Sequence, residues 1–147
     1  IRGCMSKHYS VMGDRYSILL HGRETGGAYS VMDFWIPPGG GPKPHVHSRE
    51  DEAFLIVEGE IEFTVNGIAR TYRAGESVYA MKKIPHFFRN PGTTPARMIL
   101  TCIPAGLEDF FAEVGQELPD RNAEPVPPKQ EDIGRIFATA DKCGITM

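Results

Sequence analysis

Short apolar runs, each stopped by turn residues, constrain this chain more than any other feature. They fall at 16–20, 28–36, 53–57, 61–65, 68–73, 77–81, 86–89 and 97–103. The run at 61–65 alternates with period two, as a strand with one buried face does. Asn66-Gly67 separates it from the next run, and Asn-Gly between two extended segments is a strong hairpin signal. Pro37-Pro38-Gly39-Gly40-Gly41-Pro42 excludes a helix and marks a loop. Many short strands at close spacing predict an all-β sandwich or barrel.

Past Pro104 the pattern changes. Residues 107–114 read as a short helix closed by Gly115. The stretch 119–128 holds four prolines and reads as a loop or linker. Ile133, Ile136 and Phe137 recur at helical spacing within 129–140, with Gly134 inside the run. This second helix is expected on the barrel exterior or against a partner subunit. The predicted organisation is an N-terminal arm at 1–14, a β-barrel at 15–105 and a helical extension at 106–147 packed on the barrel.

The chain has 147 residues, 41% of them hydrophobic, which suits one globular core. A net charge of -3 with scattered Lys and Arg argues against a nucleic-acid partner. No apolar run reaches the length of a membrane span. Cys4, Cys102 and Cys143 show no paired spacing, so free thiols in a reducing, cytoplasmic compartment are expected. Residues 1–4 read as an upstream remnant before Met5, without a signal-peptide pattern.

Chemistry concentrates in two segments. His45, His47 and Glu52 lie in the first and His86 in the second, and these hold three of the five histidines. His45 and His47 are two apart, so on a strand both rings leave one face. Glu52 follows a polar bend, opens the next apolar run and can face back towards the pair. Imidazole and carboxylate are ligands that zinc, iron, manganese, nickel and copper all use. By alternation Phe54 and Ile56 share the side of Glu52, and Phe88 and Asn90 that of His86. Phe54, Phe63 and Phe88 are therefore candidates for an apolar substrate pocket. Trp35 and Tyr29 share one strand face, and Lys43, Lys82 and Lys83 are candidates for the mouth. His8 and His21 read as ordinary.

The first segment resembles the first motif of the cupin superfamily, G-x5-H-x-H-x(3,4)-E-x6-G. It matches at Gly39, His45, His47, Glu52 and Gly59. The second segment resembles the motif G-x5-P-x-G-x2-H-x3-N at Gly75, His86 and Asn90, with Met81 in place of the proline and Lys83 in place of the glycine. The spacing between motifs and the tail resemble small single-domain cupins of the quercetin-dioxygenase-like kind. This resemblance implies a double-stranded β-helix, or jelly roll, with short C-terminal helices. It also implies one divalent transition metal ion per chain on His45, His47, Glu52 and His86, and a homodimer. The function it implies is a metal-dependent dioxygenase for a small aromatic or oxygenated substrate, with Glu52 accepting a substrate proton. A non-redox isomerase, lyase or cyclase is the alternative, or a small-molecule-binding module without turnover.

Overall fold

The computed structural model describes residues 5–147. Residues 1–4, including Cys4, lie outside the described part, and with them the expectation of an upstream remnant. The strands are β1 (Lys7–Val11), β2 (Asp14–Leu20), β3 (Ser30–Ile36), β4 (Val46–His47), β5 (Asp51–Glu58), β6 (Glu60–Val65), β7 (Ile68–Arg73), β8 (Ser77–Ala80), β9 (His86–Arg89) and β10 (Ala96–Ile103). Then come α1 (Leu107–Val114), β11 (Gln116–Leu118), α2 (Asp132–Lys142) and β12 (Ile145–Thr146). A short 3-10 turn covers Gly22–Glu24.

The fold is all-β, as the sequence predicts, with the jelly-roll form that the family resemblance implies. A seven-stranded sheet runs in the order β11-β1-β2-β3-β10-β5-β8, and a three-stranded sheet in the order β7-β6-β9. Every strand pair is antiparallel. The ladders do not close on one another, so the expected barrel is an open pair of sheets. β12 pairs with β4, and an isolated bridge between His45 and His86 brings that pair to β9.

Alternation decides which side chains fill the space between the sheets. Met32, Phe34 and Ile36 of β3 are buried, as are Phe54 and Ile56 of β5, Ile61 and Phe63 of β6, and Met98, Leu100 and Cys102 of β10. Each fully buried large apolar side chain contributes roughly 1.5–3 kcal/mol. The rings of Phe54 and Phe63 lie 4.9 Å apart across the two sheets. Trp35 faces outward, with the Arg15 guanidinium 4.8 Å from its ring centre. Asn66 and Gly67 both take positive φ, 51° and 82°, the conformation of the tight hairpin turn that Asn-Gly favours.

The structure departs from the expected organisation at both ends. The segment expected as an arm contains β1, which pairs with β2. The outer edge of β1 is covered by β11. The region expected to be a helical extension therefore supplies two strands as well as two helices. Gly115 does end α1, but its φ of -82° is not left-handed. A side chain there would strike the Phe111 carbonyl oxygen and Tyr9. The terminal carbonyls of Glu113 and Val114 accept hydrogen bonds from Arg135 of α2, at 3.0 Å each.

The loop at 37–44 crosses β9 closely at Gly41, where φ is 127° and a β-carbon would collide with the Phe88 carbonyl. Gly41→Ala should therefore cost about 2–4 kcal/mol of unfolding free energy in urea melts. Gly26→Ala, with φ of 63° but open space, should cost only about 1 kcal/mol. Equal losses would show that close approach at Gly41 does not matter.

Candidate metal centre

The strand ladders bring the four sequence-predicted ligands together. One donor atom from each of His45, His47, Glu52 and His86 lies within 4.8 Å of the others. Two backbone hydrogen bonds join His45 to His86, each N–H donating to the other's carbonyl at 3.0 Å. Glu52 enters from β5, in the facing sheet. His47, Glu52 and His86 are buried, and His45 is half-buried.

Each ring is held through its Nδ1 atom. His45 Nδ1 lies 2.7 Å from the Lys43 carbonyl oxygen, and His86 Nδ1 lies 3.2 Å from that of Ile84. A carbonyl only accepts, so these Nδ1 atoms carry the hydrogen, and a neutral ring then presents its Nε2 lone pair inward. His47 Nδ1 lies 2.6 Å from Glu50 Oε1. Inside the cluster, Glu52 Oε1 sits 2.9 Å from His86 Nε2 and 3.1 Å from His47 Nε2. Neither Glu52 Oε1 nor His86 Nε2 makes a hydrogen bond of acceptable geometry.

Lone pairs and a carboxylate that converge in a buried space repel unless a positive charge lies among them. Leaving a buried carboxylate without donors costs several kcal/mol. One protonated ring would answer a single contact and leave the other lone pairs facing the oxygen. A cation at the centre answers all of them. Donor separations near 3 Å also match ligands about 2.1 Å from an ion at roughly right angles. The residues therefore fit a divalent transition metal.

The ionisation of the groups agrees. Burial, with His47 beside it, draws the His45 imidazole down to about 4, so the ring is neutral at pH 7. Burial also lowers His47, but the hydrogen bond to Glu50 and the carboxylates of Glu52 and Glu50 outweigh it and raise the ring above its ordinary value. For Glu52, burial alone would raise the carboxyl. The surrounding His86, His47 and His45 rings reverse this and hold it below its ordinary value.

Comparisons with known proteins agree with this fold. The family model described as Cupin domain matches residues 32–102, which contain all four ligands. Residues 32–102 thus carry a cupin domain. A solved RmlC-like cupin from Shewanella frigidimarina superposes with a TM-score of 0.61 at 24% identity, over 75% of this chain and 93% of that one. Among curated relatives, polyketide synthase CurC from Streptomyces cyaneus is 29% identical over 100 residues, 67% of this chain and 65% of its own length. Oxalate oxidase 2 from Hordeum vulgare is 33% identical over 72 residues, 44% of this chain and 32% of its own length. The chain thus spans less than two thirds of either relative.

The cupin centre opens onto a cavity of about 240 Å³. Its wall includes His45, His47 and Glu52 together with Phe34, Phe88 and Phe111. Of the three aromatic residues expected there, Phe88 lines it. Phe54 and Phe63 do not; they pack against each other deeper between the sheets. Asn90 is structural, donating to the carbonyls of Ile36 and Thr94. Lys43 reaches the cavity, whereas Lys82 and Lys83 do not line it. Helix α2 contributes Ile133, Ile136 and Phe137 to the wall, so its apolar stripe borders the chamber.

Two residues escape the sequence reading. Glu50 lies in what reads as a polar bend, yet it is buried and orients His47. Its signal is an acid three residues after a ligand histidine. Asp14 is buried in the cavity wall, and burial pushes its carboxyl up to about 7. Its signal is an acid in step with the apolar Tyr16 and Ile18. A second acidic cluster, His21 with Glu108 and Asp109, is satisfied internally. His21 Nε2 lies 2.8 Å from Asp109, and Glu108 accepts from the Gly106 N–H at 2.7 Å. His8 is bonded to Ser17 at 2.7 Å.

His86→Ala should lower bound metal at least about tenfold after dialysis, while His21→Ala should leave it unchanged, as measured by elemental analysis. Glu50→Gln should weaken metal affinity about 10–100-fold without removing a ligand. Equal occupancy in the His86 and His21 variants would refute the assignment.

Proposed function

We propose that this cupin is a metal-dependent dioxygenase acting on a small, largely apolar substrate that is aromatic and bears oxygen. The supporting observation is that His45, His47 and Glu52 share one cavity wall with Phe34, Phe88 and Phe111. A divalent ion (Fe, Mn, Ni, Cu or Zn) on the four ligands would supply a Lewis-acidic centre with open positions and, for the redox-active metals, electron transfer. The names of the relatives, an oxalate oxidase and a polyketide synthase, support organic substrates that carry oxygen.

The chain's own residues divide the remaining work. The aromatic wall takes the apolar body of the substrate and keeps water away from the centre. Glu52 is ionised at neutral pH and stands at the cavity surface. It accepts the proton of a substrate hydroxyl as that oxygen turns towards the centre. Glu50 holds the His47 ring in place while this charge moves.

Oxygen uptake with flavonols and catechols, on protein loaded with each metal in turn, tests this reading. Glu52→Gln should retain most of its metal and lose about 10²–10⁴ in rate per bound ion. Activity per ion equal to wild type would reduce Glu52 to a ligand only. No uptake with any substrate, on a chain whose native metal is zinc, would favour the non-redox alternative.

The chain is also proposed to form a homodimer through the outer face of the seven-stranded sheet. Leu55 and Tyr79 stand 44% and 55% exposed there, beside Ile99. Leu55→Glu should shift the mass in light scattering down to the single-chain 16.3 kDa. A wild-type protein already at that mass at micromolar concentration would refute the pairing.

A further inference from the structure

A single exposed apolar side chain needs no explanation, but two that continue the wall of an apolar chamber do. Phe137 is 47% exposed and Met12 44% exposed, and both line the cavity onto which the His/Glu centre opens. The elements that carry them fix their placement. Ile133, Ile136, Phe137 and Ala140 are spaced i, i+3, i+4, i+7 on α2, so they share one face, and all four line the cavity. That face passes from buried to exposed: Ala140 is buried, Ile133 and Ile136 are half-buried, and Phe137 is exposed. Met12 stands near Ile136, since the two also line a smaller neighbouring cavity together. The face of α2 is thus an apolar track from the chamber to solvent, with Met12 on its flank.

The chemistry along this track is uniform. Val11 of β1, Leu107, Phe110 and Phe111 of α1 and the four residues of α2 contribute no hydrogen-bonding side chain to the wall. Lys43, the charged residue exposed in the wall, belongs to the side of the centre, where its carbonyl holds His45 Nδ1. A polar group lying along the track would lose water and gain no partner, whereas an alkyl chain loses only its contact with water. A ligand no longer than the chamber would leave Met12 and Phe137 in solvent. One that continues past it would cover both, and methionine adapts readily to a flexible chain.

We infer that the substrate is an amphiphile, with an oxygen-bearing aromatic head at the His/Glu centre and an alkyl tail that leaves the chamber across Met12 and Phe137. These two residues then select for tail length, while the ligand set selects the head. The inference deepens the proposed function and rests on its reading of the centre as the end that takes the oxygen.

Calorimetric binding of 4-methylcatechol, 4-butylcatechol and 4-octylcatechol to the zinc-loaded protein tests it, zinc leaving the catechols unoxidised. In the wild type the octyl compound should bind at least about tenfold more tightly than the butyl one. Met12→Asn suits the positive φ of 50° at that position, and Phe137→Gln keeps a helix former in α2, so the pair alters the rim without touching the centre. Together they should cut the octyl gain to within about threefold and leave methyl affinity within about threefold of wild type. A wild type that gains nothing from butyl to octyl, or that binds none of the three, would overturn the inference. So would a gain that survives both substitutions, the mark of nonspecific partitioning. Equal losses for the methyl and octyl compounds would overturn it too, as would a fall in mass by light scattering in the double variant, the mark of a rim covered by a second copy. The metal-free protein reads the other end separately. If 4-methylcatechol binding ignores the metal, the reading of the centre fails, while the octyl gain and its dependence on Met12 and Phe137 stand or fall on their own.

Discussion

Two backbone hydrogen bonds between His45 and His86 are the hinge on which the rest of the site depends. They join segments that are distant in sequence and belong to different hairpins. With this bridge in place, the two rings must lie side by side, 4.6 Å between centres. His47, two residues along, follows on the same side, and its carbonyl accepts from the Lys83 N–H at 2.7 Å. Lys83 stands where the cupin motif has glycine, and it takes the left-handed φ of 69° that glycine would favour. The turn before His86 thus keeps its shape despite the substitution, held by its bond to the ligand strand.

The electrostatics follow from that geometry. A sheet can bring imidazoles together cheaply, because neutral rings bury well. It cannot bury Glu52 among them without a counter-charge. The outer atoms of the rings show how the charge is divided. His45 and His86 turn their Nδ1 atoms to backbone carbonyls, whereas His47 faces the second acid, Glu50. One ring of the three therefore gains basicity from a carboxylate behind it. The centre is asymmetric although its ligands are nearly identical in kind.

Much of this was legible in the sequence, where the signal is local. The Asn66-Gly67 hairpin, the loop at 37–42 and the His45, His47, Glu52, His86 set all depend on short spacings and on turn chemistry. The parts that were not legible depend on tertiary pairing. β1 and β11 are strands because of the neighbours they pair with, β1 with β2 and β11 with β1, not because either is strongly patterned. Alternation put Phe54, Phe63 and Phe88 on the inside but could not say how deep each sits. Only the depth of the metal centre between the sheets separates Phe88, which lines the cavity, from the other two. The stripe of Ile133, Ile136 and Phe137 was visible, but its target was not. Asp14 and Glu50 were hidden because acids in turns and bends usually face water.

The pairing of β12 with β4 ties the tail to the metal centre. Ser48 donates to the Gly144 carbonyl at 2.9 Å, and Arg49 donates to that of Lys142, 93 residues away in sequence. During synthesis the ligand histidines therefore leave the ribosome well before the strand that braces them. Until that strand arrives, His47 lies on an unpaired edge and the chamber lacks the wall built by α2. The strand that follows α2 is thus a brace for the segment that carries His47.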